Sequence, residues 1–479
     1  MKKGINSLLK TPILFPILLT IITSFLFLGS KSFWIDESFS YYTSHSLTIL
    51  ISTIWHEEPN MWIYYFALHF WLLISRGEFF IRSLSAIFAV LSIPIFYKIG
   101  ELLFNKKVAL ITCILLSIHV FFILYAQEAR SYSLMLLLTC ISTYTFLKFK
   151  ENSKYKILFA VSSMLAVYAH FYAAFVLLAQ EIYSVLKRVL KSYIYVFLLI
   201  GILLIPLFIA PSLRNGQIVD WIPSTRISEI IGTFFLLGGD FLPLAALYNL
   251  LFALGFFIAV KERKHLFPFI WVFIPIIAAL LISVVKPIYQ SAYLFICLPA
   301  FLLITGFALT KIKNIILFYG AFLLLVLFSI IRLYFWYSNT PPIYFNGIAF
   351  SYINNIHENW RDAVNYVSTH GERNDIVIFY GYYGKLDYEF YETTSSPRTV
   401  EIASRAYDLG GGTLLPEPNK ALIKKFTNKY VWFVENRTTG ENFNRAKEYN
   451  EIKTLLLENY NLVGTARFYK VAVSKYVHK

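Results

Sequence analysis

Two adjacent carboxylates, Asp36 and Glu37, follow the first apolar segment of the chain. Carboxylates beside the apolar edge of a membrane are costly unless they are used or paired. One interpretation is that both side chains are simply solvated at the membrane surface. The other is that partial desolvation sets the pKa of one of them and makes it a general base.

A second polar cluster runs from His56 to Asn60 and includes Glu58. It is either a functional surface or a polar lead-in to a helix, because Pro59 is well suited to a helix start. A third cluster contains Arg130 and lies between two apolar runs with almost no loop. That arginine either pairs with Glu128 or binds an anionic head group, since a guanidinium binds phosphate in a bidentate way.

Two further residues are candidates, each with a simpler alternative. Lys286 lies in a short turn that ends at Tyr293, and it is either a ligand or an anchor at a helix end. His170 separates two short apolar runs, and it is either a ligand or a buried histidine of the core. No set of His, Cys and carboxylate residues has the spacing of a metal site.

The composition indicates what must position these residues. Hydrophobic residues make up 57% of the 479 residues and charged residues only 15%, against about 25% charged in an ordinary soluble chain. Repeated apolar stretches of roughly 20 residues predict membrane-spanning helices. The three cysteines, Cys113, Cys140 and Cys297, all lie in such stretches, which argues against a disulfide framework.

The net charge of +15 does not indicate a nucleic-acid partner. From residue 340 onward, 17 Lys and Arg residues face 15 Asp and Glu residues. Nearly all of the excess therefore lies in short loops between apolar runs, which is the positive-inside pattern of membrane proteins. The N-terminal run resembles a signal peptide but lacks a cleavage site, so we expect a retained first helix.

The basic loops orient the apolar runs, because two loops on the same side of the membrane are separated by an even number of crossings. Three runs separate the cluster at Lys10 from the cluster at Lys106, so one of the three does not cross if both clusters are cytoplasmic. The run 61–75 is short and contains His69, and we expect a helix in the outer interface. Eleven crossings remain, near 11–30, 80–103, 107–125, 131–147, 157–169, 171–186, 192–211, 240–259, 266–285, 290–309 and 314–335.

This topology divides the chain into two predicted domains. Residues 1–339 form a membrane domain with a cytoplasmic N-terminus, in which 31–82 is one long external loop. Residues 340–479 form a small soluble mixed α/β domain on the outer side. Its patterns predict a helix over 359–369 and strands over 375–380, 430–435 and 467–474. The glycines at 410–412 lack phosphate-binding spacing.

The clusters, taken in order, resemble those of glycosyltransferase family 39, the protein-mannosyltransferase-like group of the GT-C superfamily. The resemblance spans roughly residues 30–310. It is carried by the Asp-Glu pair within Trp34–Ser38 and by three segments: EPNMWIYY at 58–65, FFIRSL at 79–84 and YAQEARSYSL at 125–134. The chain has Glu58-Pro59-Asn60 where family members often carry His-Pro-Pro, and Ala292-Tyr293 where many carry Arg-Tyr.

The resemblance implies a GT-C-like fold of about 11 transmembrane helices and a sugar donor carried on a polyprenyl phosphate. It makes Asp36 the candidate base, with Glu37 beside it in the acceptor site, and Arg130 a ligand of the lipid phosphate. Lys286 is a candidate replacement for the missing arginine at position 292. The predicted substrate-binding residues are His56, Glu58, Asn60, Tyr64, Gln127, Glu128, Arg130, Tyr132, His170, Lys286 and Tyr293.

We therefore predict a glycosyltransferase of the plasma membrane that acts on a cell-envelope acceptor (protein, lipid or glycan) at the outer face. One alternative is a flippase or transporter of lipid-linked sugars, which favours mid-bilayer charges and inverted repeats. Another is a scaffold whose C-terminal domain does the work. No cofactor is assigned, and a divalent metal shared by Asp36, Glu37 and Glu128 stays an open alternative.

Overall fold

The structure is a computed structural model of the chain. It describes residues 12–56, 60–149, 154–209, 222–262, 265–340, 344–345, 348–349, 357–380, 382–392, 398–403, 430–436 and 443–479.

Two compact units make up the chain. The first, here called the helical unit, comprises residues 1–28 and 59–355. The second, here called the sheet unit, comprises residues 29–58 and 356–479. Residues 29–58 therefore group with the C-terminal part of the chain, whereas the predicted boundary at residue 340 stays a prediction.

The helical unit is almost entirely helical, as its apolar runs predict. Its one described pair of strands is the short antiparallel pair β1 (Tyr344–Phe345) and β2 (Ile348–Ala349). Its helices are Leu14–Phe25, Trp62–Leu72, Glu78–Leu103, Lys106–Ser117, Val120–Ala126, Tyr132–Lys148, Lys154–Ala169, Ala173–Leu186, Leu190–Leu203, Ile205–Ile209, Ile227–Leu237, Leu242–Glu262, Leu266–Ser283, the 3₁₀ turn Ser291–Cys297, Leu298–Thr310 and Ile315–Tyr337.

Six stretches among the described residues are long and apolar enough to cross a membrane, or seven if one bent pair counts as a span. The prediction of a multi-pass helical membrane protein is thus confirmed, and the number of eleven crossings stays a prediction. The Trp62–Leu72 helix has 11 residues, so it is about 16 Å long against an apolar bilayer thickness of about 30 Å. Its predicted position in the outer interface stays a prediction.

Two features of the helical unit differ from the predicted runs. The run 107–125 is two helices, Lys106–Ser117 and Val120–Ala126, which are bent by 61°. His119 lies at this break, and its Nε2 is 3.1 Å from the carbonyl oxygen of Leu237. Leu237 ends the helix Ile227–Leu237, which has only 11 residues and was not predicted.

Small and hydroxyl residues let the helices of this unit approach closely. A Cβ atom added at Gly255 would lie 2.7 Å from the carbonyl oxygen of Ile304, so glycine is required at this crossing. Thr20 donates a 2.7 Å hydrogen bond to Ser117 between two other helices. Arg82, from the FFIRSL segment, is buried and donates to the carbonyl oxygen of Leu28.

The sheet unit contains a mixed five-stranded sheet with the strand order β4-β3-β5-β7-β6. β3 is parallel to β4 and β5, whereas β7 is antiparallel to β5 and β6. The strands are β3 (Ile376–Tyr380), β4 (Arg398–Ala403), β5 (Tyr430–Asn436), β6 (Tyr460–Phe468) and β7 (Val471–His478). The helices are Ile35–Ser44, Leu47–His56, Trp360–His370, Tyr382–Tyr391 and Phe443–Asn459.

Local sequence signals account for the Trp360–His370 helix, which confirms the prediction over 359–369. Asn359 caps it by accepting a hydrogen bond from the backbone N–H of Asp362. Trp360, Ala363, Val364 and Val367 recur at helical spacing and are buried. They pack in one core with apolar residues of the sheet, including Val377, Phe379, Trp432 and Val434.

One expectation for the sheet unit is wrong in part. The predicted strand over 467–474 is the end of β6 and the start of β7, and the turn between them has Lys470 in a left-handed backbone with φ +58°. The predicted external loop 31–82 begins with two helices, Ile35–Ser44 and Leu47–His56, each of which buries one side. The predicted strands at 375–380 and 430–435 are confirmed by β3 and β5.

Candidate functional site

Asp36 and Glu37 lie in the first turn of the Ile35–Ser44 helix. The backbone N–H groups of Glu37 and Ser38 both donate to the carbonyl oxygen of Trp34, which starts the helix. Carboxylates are favoured in a first turn because the helix dipole is positive there. The two carboxylates differ in access: Asp36 is half-buried, whereas Glu37 is fully buried.

His357 from the C-terminal segment lies beside Glu37. Its Nδ1 is 3.0 Å from the carbonyl oxygen of Ser32 and 3.8 Å from a carboxylate oxygen of Glu37. Because a carbonyl oxygen only accepts, we assign the hydrogen of the Ser32 contact to Nδ1. The histidine thus presents an N–H edge to the carboxylate of Glu37.

Asp387 brings a third carboxyl group to the same helix. Ser38 donates a 2.6 Å hydrogen bond to Oδ1 of Asp387, which is fully buried. Burial raises the pKa of Asp387 well above its ordinary value; the hydrogen bond from Ser38 opposes the rise, and the nearby charges of Glu358, Asp36 and Glu37 add to it. A buried carboxyl surrounded by carboxylates favours its neutral form.

Aromatic contacts of the Tyr382–Tyr391 helix flank the acidic pair on both sides. Phe390 stacks on Phe33 at 4.4 Å between ring centroids and meets the ring of Tyr41 edge-on at 4.9 Å. The hydroxyl of Tyr391 accepts a 2.7 Å hydrogen bond from the backbone N–H of Phe33. The helix therefore contacts the chain before and after Asp36 and Glu37.

Arg361 holds the stretch of chain just before the Ile35–Ser44 helix. Its guanidinium donates to the carbonyl oxygens of Gly29, Ser30 and Lys31 at 3.0 to 3.4 Å. Glu358 is also buried, and its carboxylate accepts a 2.8 Å hydrogen bond from the indole of Trp360. Two segments far apart in sequence thus build one acidic cluster within the sheet unit, formed by Asp36, Glu37, Glu358 and Asp387.

In the helical unit, Arg130 lies in the turn before the Tyr132–Lys148 helix and is 9% exposed. Its carbonyl oxygen accepts a 3.1 Å hydrogen bond from Ser85, whose hydroxyl is 2.9 Å from that of Tyr64. The next residue, Ser131, donates to the carbonyl oxygen of Ala169. The backbone of this turn is therefore held in place beside His170.

Three predicted residues form an aromatic cluster beside Arg130, here called the Tyr-His cluster: Tyr132, His170 and Tyr293. The ring of His170 is 5.5 Å from that of Tyr132 and 5.0 Å from that of Tyr293. Asn60 lies nearby, because its side-chain oxygen accepts a 3.1 Å hydrogen bond from the backbone N–H of Phe171. Residues distant in sequence thus meet here, and their role as substrate ligands stays a prediction.

A cavity of about 230 Å³ lies beside this cluster, next to Tyr125 and Ala292. Tyr125 donates to the carbonyl oxygen of Ala292 and packs on Tyr132 at 4.0 Å between ring centroids. Most of the residues that line the cavity are apolar; the lining is Phe121, Leu124, Tyr125, Glu229, Leu236, Gln290, Ser291 and Ala292.

The other predicted residues are spread more widely. Gln127 is buried, and its amide hydrogen-bonds to main-chain carbonyls and to Trp336 within the helical unit. Glu128 is buried near Arg130, and Lys286 is half-buried after the Leu266–Ser283 helix. His56 is exposed at the end of the Leu47–His56 helix, and Glu58 lies outside the described residues. Their roles as substrate ligands stay predictions.

His357, Glu358 and Asp387 were not predicted from the sequence. None carries a motif, and Asp387 is 349 residues from its partner Ser38. Among the residues that the structure describes, no group of three or more His, Cys, Asp or Glu residues is arranged to hold a metal ion. A metal shared by Asp36, Glu37 and Glu128 stays a prediction.

Comparisons with known proteins bear on both units. Residues 57–210 match the model of the family described as dolichyl-phosphate-mannose-protein mannosyltransferase. No curated protein sequence matches the chain significantly.

Solved structures match over nearly the whole chain. The crystal structure of ArnT from Cupriavidus metallidurans bound to undecaprenyl phosphate matches with a TM-score of 0.64 and 13% identity, over 97% of both chains. The Archaeoglobus fulgidus oligosaccharyltransferase in complex with Zn and sulfate matches with a TM-score of 0.53 and 13% identity, over 96% of this chain and 73% of that one. At such identities the likeness shows the fold.

Proposed function

We propose that this chain is a membrane glycosyltransferase of the protein-mannosyltransferase-like group, and that it transfers a sugar from a polyprenyl-phosphate donor. The family model that matches residues 57–210 and the GT-C-like fold support the proposal. The acceptor is a protein, a lipid or a glycan of the cell envelope. The reaction takes place at the outer face of the plasma membrane, with the N-terminus in the cytoplasm and the C-terminal residues outside.

The observation that carries this proposal is the contrast between Asp36 and its acidic neighbours. Asp36 is accessible, whereas Glu37, Glu358 and Asp387 are buried around it in the sheet unit. Neighbouring carboxyl groups whose environments push their pKa values apart are typical of acid–base sites. Glu37, Glu358 and Asp387 are buried, so Asp36 is the carboxyl of this cluster that an acceptor can reach.

In the proposed reaction, Asp36 takes the proton of the acceptor hydroxyl or amine as the acceptor attacks the anomeric carbon. The bond between that carbon and the phosphate oxygen breaks, and polyprenyl phosphate leaves with the electron pair. A phosphate is a good leaving group, so a strong general acid is not required. A single displacement of this kind inverts the anomeric centre, and Glu37 lies beside the base.

Arg130 is the proposed ligand of the donor phosphate. A guanidinium offers two parallel donors to phosphate oxygens and steadies the charge that develops on the departing group. The Tyr-His cluster and the mainly apolar cavity next to it suit a sugar and the start of a lipid chain. The undecaprenyl phosphate in the ArnT crystal supports a donor of this class.

The test uses the full-length chain in lipid nanodiscs. Radiolabelled polyprenyl-phosphate hexoses and pentoses are offered one at a time, with and without a cell-envelope extract as the acceptor. The readout is acceptor-dependent release of polyprenyl phosphate. Wild type, Asp36→Asn and the matched control Glu389→Gln are compared, since Glu389 is an exposed carboxylate in a surface ion pair.

We expect release by wild type and by Glu389→Gln, and a loss of about 10²–10⁴-fold in Asp36→Asn, the usual effect of removing a general base. Equal release by Asp36→Asn and wild type would remove Asp36 from this role. Movement of labelled donor across the membrane of proteoliposomes, without transfer and unaffected by Asp36→Asn, would favour the flippase alternative instead.

A further inference from the structure

Asp387 is a buried carboxyl of the sheet unit that takes no step in the proposed reaction. Its Oδ1 accepts the 2.6 Å hydrogen bond from Ser38, and its Oδ2 is buried with no hydrogen-bond partner among the described residues. A buried carboxyl of this kind is costly to retain for stability alone.

The position of Ser38 connects Asp387 to the acidic pair. Ser38 directly follows Glu37 in the first turn of the Ile35–Ser44 helix, two residues after Asp36. The turn carries no side-chain cap from its N-cap residue, Trp34. A strong side-chain hydrogen bond from outside the helix therefore restrains a turn that local capping leaves weak.

The charge state of Asp387 matters because other carboxyl groups lie close to it. Asp36 and Glu37 on the Ile35–Ser44 helix and Glu358 on the segment before Trp360 all face Asp387. A second ionised carboxylate there would repel Asp36, whereas a neutral carboxyl holds the serine and adds no charge.

We infer that Asp387 is a positioning residue, which acts through its hydrogen bond with Ser38 to hold the first turn of the Ile35–Ser44 helix and thereby Asp36. The inference rests on the proposed role of Asp36 as the base. It assigns to the C-terminal part of the chain a part in the reaction at a carboxylate near the N-terminus.

The first test measures kcat and the donor KM for Asp387→Ala, Ser38→Ala and the double variant. We expect each single variant to lose at least about 10-fold in kcat with an unchanged donor KM, since a misplaced base affects the chemical step. The double variant should lose no more than either single variant, because both break one hydrogen bond.

Two further variants separate positioning from folding. Asp387→Asn keeps an oxygen that accepts from Ser38, so it should stay within about threefold of wild type. Glu389→Gln, on the same helix, should match wild type. Ser38→Ala removes the contact with little change of volume, so it tests the positioning role even if Asp387→Ala fails to fold. A wild-type kcat in Ser38→Ala, or losses that multiply in the double variant, would overturn the inference.

A second readout does not need transfer. Amide hydrogen exchange over residues 35–44 should be at least about 10-fold faster in Ser38→Ala than in wild type and Glu389→Gln, because the first turn opens more often. Unchanged exchange would overturn the positioning role. Faster exchange in a protein that transfers no sugar would instead leave positioning in place and refute the proposed function.

Discussion

Arg332 and Asp240 form a fully buried ion pair in the helical unit, with Nη2 of Arg332 2.6 Å from Oδ2 of Asp240. Nε of the same arginine donates to the carbonyl oxygen of Asp240 at 3.0 Å. Asp240 lies in the turn between the Ile227–Leu237 and Leu242–Glu262 helices, where its φ is +52°. The pair thus fixes a strained turn to the Ile315–Tyr337 helix.

Removing one charge of this pair should be far more harmful than removing both. We expect Asp240→Asn to lower the free energy of unfolding by about 3–5 kcal/mol, because the arginine is left as a buried, uncompensated charge. Arg332→Met in the same chain should recover much of that loss. Chemical unfolding in detergent measures both. A double variant as unstable as Asp240→Asn would show that packing, rather than charge, dominates.

Gln127 should behave as a structural residue more than as a ligand. Its Oε1 accepts a 2.8 Å hydrogen bond from the indole of Trp336, and its Nε2 donates to the carbonyl oxygen of Leu26 at 2.7 Å. We expect Gln127→Leu to lower the free energy of unfolding by about 1–3 kcal/mol, because these buried groups lose their partner.

The control for Gln127 removes the indole donor. Trp336→Phe in the Gln127→Leu chain should add less destabilisation than it does in wild type, since the two changes break one hydrogen bond. Unchanged stability of Gln127→Leu together with a raised donor KM would instead support the predicted role as a substrate ligand.

Stability should depend on pH through Asp387. Its folded pKa is raised by burial, with further contributions from Glu358, Asp36 and Glu37, above an unfolded value of about 3.9. Its contribution is therefore fully present below pH ~4 and is lost as the pH rises through the folded pKa. Asn does not titrate, so the stability of Asp387→Asn relative to wild type should increase as the pH rises above ~4. Thermal unfolding between pH 4 and pH 8 measures this, and a difference that stays constant would contradict it.

Arg130 should affect the donor more than the chemical step. We expect Arg130→Lys to raise the donor KM by about 10-fold, because lysine keeps the charge but loses the planar pair of donors. Steady-state release of polyprenyl phosphate measures the change. Lys311→Gln removes an exposed cation that pairs with Glu262 and should leave the KM unaltered. A donor KM unaffected by Arg130→Lys would argue against phosphate binding there.

We expect Lys286 to replace the arginine that many members of the protein-mannosyltransferase-like group carry where this chain has Ala292. Lys286→Gln should raise the donor KM by several-fold, since about one charged hydrogen bond to phosphate is lost. Ala292→Arg lies beside the cavity and should restore binding in the Lys286→Gln chain. Failure of Ala292→Arg to restore the KM, with the protein folded, would place the replacement elsewhere.

Local signals predicted much of this molecule. Apolar runs and basic loops identify a multi-pass membrane protein, and two adjacent acids after an apolar run mark Asp36 and Glu37 as candidates. Helical periodicity predicts the Trp360–His370 helix. In each case a residue and its neighbours within a few positions determine the local environment, so the linear sequence carries the information.

Other features depend on distant contacts or on uncommon backbone conformations. The partnership of Ser38 with Asp387 spans 349 residues, and no spacing rule reports it. The 61° break lies at Ile118-His119, where neither glycine nor proline signals it. Lys470 adopts φ +58° in the turn before β7, a conformation that sequence signals associate with glycine or asparagine.

The grouping of residues 29–58 with the C-terminal part has a consequence for the timing of biosynthesis. At a synthesis rate of about 5–20 residues per second, Asp387 follows Ser38 by roughly 20–70 s. During that interval the nascent chain carries Asp36 and Glu37 without the carboxyls and histidine that later surround them. The acidic cluster is completed only after residue 387 has been synthesised, so a ribosome that stalls earlier releases a chain in which this cluster is not assembled.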